Sequence, residues 1–400
     1  MPIFNIKKIF IVDCTLALWA LSAFVMAIIP RNFLINSTYV VLSLIALLSI
    51  TRCNSKVNRG NNLEGVFLYF IATFIPLVIA IINGKYSFLY YWMLGANTVL
   101  AVKYLVQISL SSQIIIARLL IISCFAICGL VAINDNVEID SVSFIGGSSN
   151  LLSAALISVV CWYCFVRLLA GHKEPILVPF ILFILAIYLG GRSGIAISFG
   201  ILFISVLFRC SRSKILLLSV SLILPLLAWF FLADVFLGIV DGTRLRHGFE
   251  DDVRSAIIQE YIRGIGPVSL LIGGEFDPSG IIASYGGNPH NSIIRAHYMF
   301  GIVPIALFAL ALIFSTVMLV SLPSRVSAYG FTLGGLILLR SFFDSIAFWL
   351  ELDFILLILL LNPILLSSQV HRKRNRWQHK PVKLGVALQN KFNFINRSLP

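Results

Sequence analysis

Long apolar runs separated by short polar stretches extend through the whole chain. Most are close to the roughly 20 residues that an α-helix needs to cross a bilayer, so the pattern predicts an all-α integral membrane protein with twelve transmembrane helices. The predicted spans cover residues 9–29, 33–51, 64–83, 88–106, 113–133, 149–170, 176–191, 193–208, 215–239, 292–321, 330–348 and 350–368.

One long polar stretch, residues 240–290, interrupts the apolar pattern. Within it, "DDVRSAIIQEYIRGI" predicts a short amphipathic helix, because its apolar residues recur at helical spacing. A helix of this kind can lie on a membrane surface. We therefore expect one polytopic domain over residues 1–400, with a loop at 240–290 and a basic tail at 369–400.

The composition excludes a water-soluble domain. Of the 400 residues, 59% are hydrophobic and 12% are charged, whereas soluble domains carry about 25% charged residues. The first apolar run follows Lys7 and Lys8 and so resembles a signal peptide. It is too long for the apolar part of one and lacks a clear cleavage site, so we interpret it as a retained first helix.

The basic residues of the short loops fall on one side if the N-terminus is cytoplasmic, as positive-inside orientation requires. Both termini are then cytoplasmic. This rule, together with anionic lipid headgroups, explains most of the net charge of +13, so nucleic acid is not an expected partner. The residues of this inner set are Lys7, Lys8, Arg52, Lys56, Arg59, Arg167, Lys173, Arg209, Arg212, Lys214, Arg325 and the tail "HRKRNRWQHKPVK".

A smaller basic set breaks this bias, because the same topology places it at the outer face. Pairing with loop acids accounts for Arg244, Arg246 and Arg263. It does not account for Arg192, which lies between two apolar spans without an acidic neighbour in sequence. Charges in such places are functional candidates. The outer set comprises Lys85, Arg192, Arg244, Arg246, Arg254, Arg263 and Arg295.

The candidate chemistry follows from arginine and histidine side chains at this face. The chain has no phosphate-binding GxxxxGK[ST] loop, no HExxH and no GxSxG, which argues against ATP-driven work. Guanidinium groups bind phosphate oxygens in forked pairs, and histidine accepts protons near neutral pH. A lipid-linked diphosphate entering from the bilayer fits these groups, with no nucleotide, metal or other cofactor expected.

The stretch "PHNSIIRAHYMFG" resembles a motif of the O-antigen ligase and O-antigen polymerase superfamily, in which a histidine and a small polar residue are followed by nine residues and then a glycine. Here His290, Asn291 and Gly301 have that spacing. Arg192 in "GGRSG" resembles the family's arginine at the outer end of a central span, and Arg254 its loop arginine. Family ligases often have Gly, Thr or Tyr three residues after the glycine, so Pro304 disfavours the ligase branch.

The resemblance implies metal-independent glycan transfer from undecaprenyl diphosphate to a sugar hydroxyl, in lipopolysaccharide biosynthesis at the bacterial inner membrane. It implies a base at His290, diphosphate contacts at Arg192 and Arg254, and for a polymerase a chain-length regulator as partner. The substrate-binding candidates are Lys85, Asn291, Arg295, Glu260, Arg244 and Arg246. Of these, Arg295 belongs to the site or extends to the interface, and Glu260 pairs with Arg254 or positions the acceptor.

Other polar and thiol groups have structural interpretations. We expect His297 to be a packing or hydrogen-bonding residue, and Arg340 and Asp344 to pair four residues apart on one helix. Cysteines at helical spacing, such as Cys161 and Cys164, predict helix-packed thiols.

Three alternatives to a polymerase remain open. One is a ligase that transfers the finished glycan to lipid A-core, and another is a polysaccharide transporter or flippase. The third is a scaffold for an envelope complex.

Overall fold

Helices make up nearly all of the described part of the chain, and no β-strand occurs in it. The computed structural model describes residues 3–28, 33–54, 64–82, 87–133, 149–189, 191–210, 252–274, 280–284, 289, 291–322, 324–342, 344, 347–348 and 350–378.

The described helices are numbered α1 to α15 in chain order. They are α1 (Ile3–Ile28), α2 (Phe33–Asn54), α3 (Glu64–Ile82), α4 (Ser87–Leu105), α5 (Leu110–Ile133), α6 (Ser149–Leu169), α7 (Leu177–Tyr188), α8 (Arg192–Cys210), α9 (Asp252–Arg263), α10 (Pro267–Ile272), α11 (Ile281–Ser284), α12 (Ser292–Phe300), α13 (Ile302–Ser321), α14 (Arg325–Ser341) and α15 (Asp353–Gln378).

The chain is a helical membrane protein. Five helices are long and apolar enough to cross a bilayer, over Ile11–Ile28, Leu110–Val131, Asn150–Leu169, Arg192–Cys210 and Ile302–Ser321. Four shorter apolar helices accompany them: Leu34–Ile50, Thr73–Ile82, Leu177–Tyr188 and Asp353–Leu365. Helices α1 to α8 occupy the first eight predicted spans, and the predicted span 215–239 lies outside the described residues.

The predicted span 292–321 is not one continuous helix. The chain breaks at Gly301, where φ is +70°, a conformation that side chains with a Cβ rarely adopt. A Cβ at this position would also collide with the carbonyl oxygen of Leu271 in α10. The break therefore gives α10 room to pack against the junction of α12 and α13, which the apolar pattern alone did not reveal.

A Gly301→Ala substitution is expected to lower the free energy of unfolding by at least about 3 kcal/mol, because it adds backbone strain and a collision with α10. Gly335→Ala in α14 is the matched control, since an added Cβ there meets nothing within 4 Å. It should be neutral or stabilising by up to about 1 kcal/mol. Thermal unfolding of the two purified variants in detergent would test this, and equal melting temperatures would contradict it.

Two further boundaries differ from the predicted ones. The predicted span 330–348 ends as a helix at Ser341, because tertiary hydrogen bonds from α12 take the carbonyl oxygens of Phe342 and Asp344. The last helix continues to Gln378, so the first part of the predicted tail 369–400 is helical. Residues 379–400 lie outside the described part.

Helix α6 is the centre of the bundle. It is almost entirely buried and packs against α1, α5, α7, α8, α14 and α15. The ring of Phe354 in α15 lies 5.0 Å from that of Trp19 and 5.6 Å from that of Trp162, which joins α1, α6 and α15. Cys161 and Cys164 are free thiols within this core, as predicted.

The two ends of the bundle carry different charge clusters. At one end, Arg325 forms a 2.6 Å ion pair with the buried Glu174, whose backbone oxygen accepts a hydrogen bond from Arg209. Helices α8 and α14 run antiparallel from this end to the other, where Arg192 begins α8 and Arg340 lies in the last turn of α14. We call these the Arg325 end and the Arg192 end.

Candidate functional site

The starts of α6, α8 and α12 and the end of α14 meet at the Arg192 end. Phe342, Asp344 and Ala347, which follow α14, connect them by hydrogen bonds, and we call these three residues segment 342–348. Ser193 in the first turn of α8 donates to Asp344 Oδ2 at 3.1 Å, and Asn291 Nδ2 donates to the carbonyl oxygen of Phe342 at 3.0 Å. The segment therefore brings the neighbours of Arg192 and His290 to one place.

Arg340 is fully buried beneath this segment. Its guanidinium donates to Ser153 Oγ and to the carbonyl oxygen of Asn150, both at 3.1 Å, and its Nε lies 3.7 Å from Asp344 Oδ2. The predicted ion pair is therefore present. However, Asp344 lies just beyond α14 instead of on the same helix, and its backbone N–H reaches back to the carbonyl oxygen of Arg340.

The glycines of "GGRSG" allow α8 to approach α6 closely. A Cβ at Gly191 would lie 2.6 Å from Asn150 Oδ1, and one at Gly194 would lie 2.5 Å from Ser153 Oγ and 3.7 Å from Arg340 Nη1. A larger residue at either position would require the side chain of Asn150 or Ser153 to move. The half-buried Arg192 begins the same helix, two residues before Gly194.

Asn291 caps α12. Its Oδ1 accepts hydrogen bonds from the backbone N–H groups of Ile293 and Ile294, at 2.9 and 3.1 Å. Ser292 Oγ donates to the carbonyl oxygen of Asp344 and accepts from the N–H of Ala347. Both residues flanking His290, Pro289 and Asn291, are buried, so the chain is anchored on either side of the candidate base.

Arg295 is buried instead of extending to the surface. Its guanidinium carbon lies 4.9 Å from the centre of the Tyr91 ring, a cation–π contact, and its charge acts on the carboxylate of Asp353. On the same side of the bundle, Tyr90 donates to Glu351 at 2.9 Å. Arg295 thus connects α12 to α4 and α15, and these contacts hold the three helices together.

The predicted amphipathic helix forms as α9, but its apolar face is not free to lie on a membrane. Ile257 and Tyr261 are buried against Ile282 of α11 and Ile294 of α12. Glu260 accepts a hydrogen bond from the N–H of Ile281, which fixes the start of α11. The loop helices therefore form a small core of their own on α12.

His297 connects the same loop to α12, as its predicted hydrogen-bonding role required. Its Nε2 donates to the carbonyl oxygen of Leu270 at 3.0 Å, which leaves Nδ1 to accept the hydroxyl of Tyr261 at 2.7 Å. The two hydrogen bonds fix the tautomer of His297, with its proton on Nε2, and hold the Tyr261 hydroxyl against the ring.

Several predicted site residues lie outside the described part of the chain: His290, Lys85, Arg244 and Arg246. Arg254 lies on α9, three residues before the buried Ile257.

The sequence predicts that Arg340 and Asp344 pair along one helix. In the structure, Arg340 also binds α6 and Asp344 also binds α8. The available signal was a fully charged pair within an apolar run, which is rare unless it serves a site or a junction between helices.

A cavity of about 530 Å³ lies between residues 264–274 and the helices α3, α4 and α12, and neither Arg192 nor Arg340 lines it. Its walls are mainly apolar and include Ile79 and Ala80 of α3, Phe88 of α4, Ile272 of α10 and Tyr298 of α12.

No protein-family model, curated protein or solved structure matches this chain.

Proposed function

We propose that this protein is a membrane glycosyltransferase that uses a polyprenyl-diphosphate-linked donor, and specifically an O-antigen or similar surface-polysaccharide polymerase. The observation that carries the proposal is the junction at segment 342–348. There, the first turn of α8, which begins with Arg192, and the start of α12, which follows His290, bind the same segment. Two sequence motifs about 100 residues apart thus converge, as one active site requires.

The electrostatics suit a diphosphate leaving group. Helix N-termini favour anions, and those of α6, α8 and α12 meet here. Arg192 stands at one of them, and a guanidinium group can bind phosphate oxygens in forked pairs. In the proposed reaction, the acceptor hydroxyl oxygen bonds to the anomeric carbon while the bond from that carbon to the diphosphate breaks. The diphosphate leaves with the bonding electrons, and His290 takes the hydroxyl proton.

The loop supplies a second wall in this proposal. Arg254 on α9 would contact the diphosphate from the loop side, with Lys85, Arg244 and Arg246 as further contacts. The packing of α9 and α11 on α12 supports a fixed position for that wall. Glu260 is engaged at α11, so its proposed part is to fix the loop on which Arg254 lies.

The proposed topology has twelve spans, cytoplasmic termini, residues 240–290 in the periplasm and the site facing the periplasm, in the bacterial inner membrane. The bundle supports this sidedness, because Arg209 and Arg325 of the predicted inner set lie at the end opposite Arg192. A lipid-linked oligosaccharide and the bilayer are the proposed partners, together with a chain-length regulator.

A ligase shares this donor chemistry and is the alternative within the same class. Pro304 favours the polymerase. It occupies the first turn of α13, where a missing backbone N–H costs nothing, so it is compatible with the fold at the position where ligases carry other residues.

The banding pattern of lipopolysaccharide from a deletion strain separates the two activities. A polymerase predicts that the deletion leaves one repeat unit on the lipid A-core, and that wild-type protein restores the ladder. The ligase predicts a bare core with long lipid-linked chains. A deletion strain with an unchanged ladder would contradict both.

A further inference from the structure

The exposed side chains of helix α10 are apolar, whereas those of a helix at a water surface are polar. Three of its four aliphatic residues, Val268, Leu270 and Leu271, are 69%, 43% and 56% exposed, and the fourth, Ile272, is half-buried. A helix at a water surface directs its polar face outward and buries its apolar face. In α10 the apolar side chains are the exposed ones.

The polar groups of α10 are satisfied locally or toward the protein. Its single polar side chain, Ser269, donates to the carbonyl oxygen of Gly266 and accepts from the N–H of the same residue, at 3.0 and 2.7 Å. The carbonyl oxygen of Leu270 accepts the hydrogen bond from His297. Polar groups in hydrocarbon must form their hydrogen bonds within the protein, because lipid tails offer no hydrogen-bond partners.

The exposed face of α10 adjoins surfaces that face lipid. The helix packs against α3 and α13 and reaches the first turn of α13 at Gly301. Helix α13 is a candidate span in which only Ser315 and Leu319 are buried, so most of its apolar surface must meet acyl chains. The apolar face of α10 therefore continues a lipid-facing surface.

We propose that α10 is a membrane-embedded part of the loop, with Val268, Leu270 and Leu271 in contact with the acyl chains of the leaflet at the Arg192 end. The partner is the bilayer itself, and the contact fixes the loop at the membrane surface. Since α10 holds His297 and touches Gly301, this anchoring also fixes α12. The proposal does not depend on the catalytic one, because its test measures position and not activity.

The test places a fluorophore at single cysteines in the full chain, after the seven native cysteines are replaced by alanine or serine. Val268→Cys and Leu271→Cys probe α10. Leu310→Cys, on the exposed apolar face of α13, is the lipid reference, and Ser255→Cys, exposed on α9, is the water reference. The labelled proteins are reconstituted in phosphatidylcholine–phosphatidylglycerol nanodiscs with or without doxyl-labelled phosphatidylcholine.

We expect doxyl lipid to remove at least half of the fluorescence at positions 268 and 271, as at 310, and iodide in the buffer to quench only position 255. Quenching of 268 and 271 by iodide and not by doxyl lipid would overturn the proposal. Protection from both quenchers would also overturn it, because a second copy or another protein would then cover this face. Gel filtration of each variant establishes that the fold is retained.

Discussion

An Arg340→Ala variant is expected to lose about 3–5 kcal/mol of folding stability, because removal of one member of a buried pair leaves an uncompensated charge. The variant leaves Asp344, which is 4% exposed, without its ion-pair partner. It also removes the hydrogen bonds to Ser153 and to the carbonyl oxygen of Asn150. Arg340 connects α14 to α6 directly and to α8 through Asp344, and the variant removes both connections. Thermal unfolding of the purified variant in detergent measures the loss.

The compensated double variant Arg340→Met/Asp344→Asn distinguishes charge from shape. It removes both charges and retains an acceptor for Ser193, so it should recover much of the stability that the alanine variant loses. Arg209→Ala serves as a control at the exposed Arg325 end, where the expected cost is below about 1 kcal/mol. A stable Arg340→Ala protein would show that the pair does not hold this junction together.

Arg192→Ala is expected to fold normally and to lose glycan transfer by a factor of about 10²–10³, the usual cost of removing one donor to a developing negative charge. Arg192 is half-buried at the start of α8, and the close contacts of that turn come from Gly191, Ser193 and Gly194. The melting temperature of the variant shows whether a loss of transfer is separate from a loss of folding. The initial rate of lipid-linked glycan elongation in membranes is the measurement.

Two further variants show whether charge or geometry matters at this position. Arg192→Lys keeps the charge but not the forked pair of donors, so its rate should fall between those of wild type and Arg192→Ala. Arg263→Ala, at the exposed end of α9, is the matched control and should retain the wild-type rate. Equal rates for Arg192→Ala and Arg263→Ala would remove Arg192 from the proposed site.

Periodicity and hydropathy predicted the helices well where one apolar run forms one helix. The predicted span 149–170 and the helix α6 differ by a single residue. The pattern failed where tertiary contacts decide the outcome. Gly301 lies within a continuous apolar run, and only the approach of α10 explains why the helix breaks there. The end of α14 likewise depends on hydrogen bonds from Asn291 and Ser292, which no local pattern encodes.

The sequence placed Arg192 and Asn291 on one face from topology, and the structure brings their helix starts to one segment. It did not reveal that the side chain of Asn291 is used as a helix cap, although an asparagine before an apolar helix is a common signal for one. Nor did it reveal that Arg295 would be buried under Tyr91. Both depend on which helices become neighbours, and that information is not contained in the spacing along one chain.

Reconstitution tests the proposed glycan transfer most directly. Purified protein in liposomes receives a polyprenyl-diphosphate-linked oligosaccharide and no nucleotide, and lipid-linked products are separated by size. We predict that wild type forms longer chains, that added EDTA does not change the rate, and that His290→Ala and Arg192→Ala form few or none while retaining the wild-type melting temperature. Wild-type rates from both variants would contradict the account.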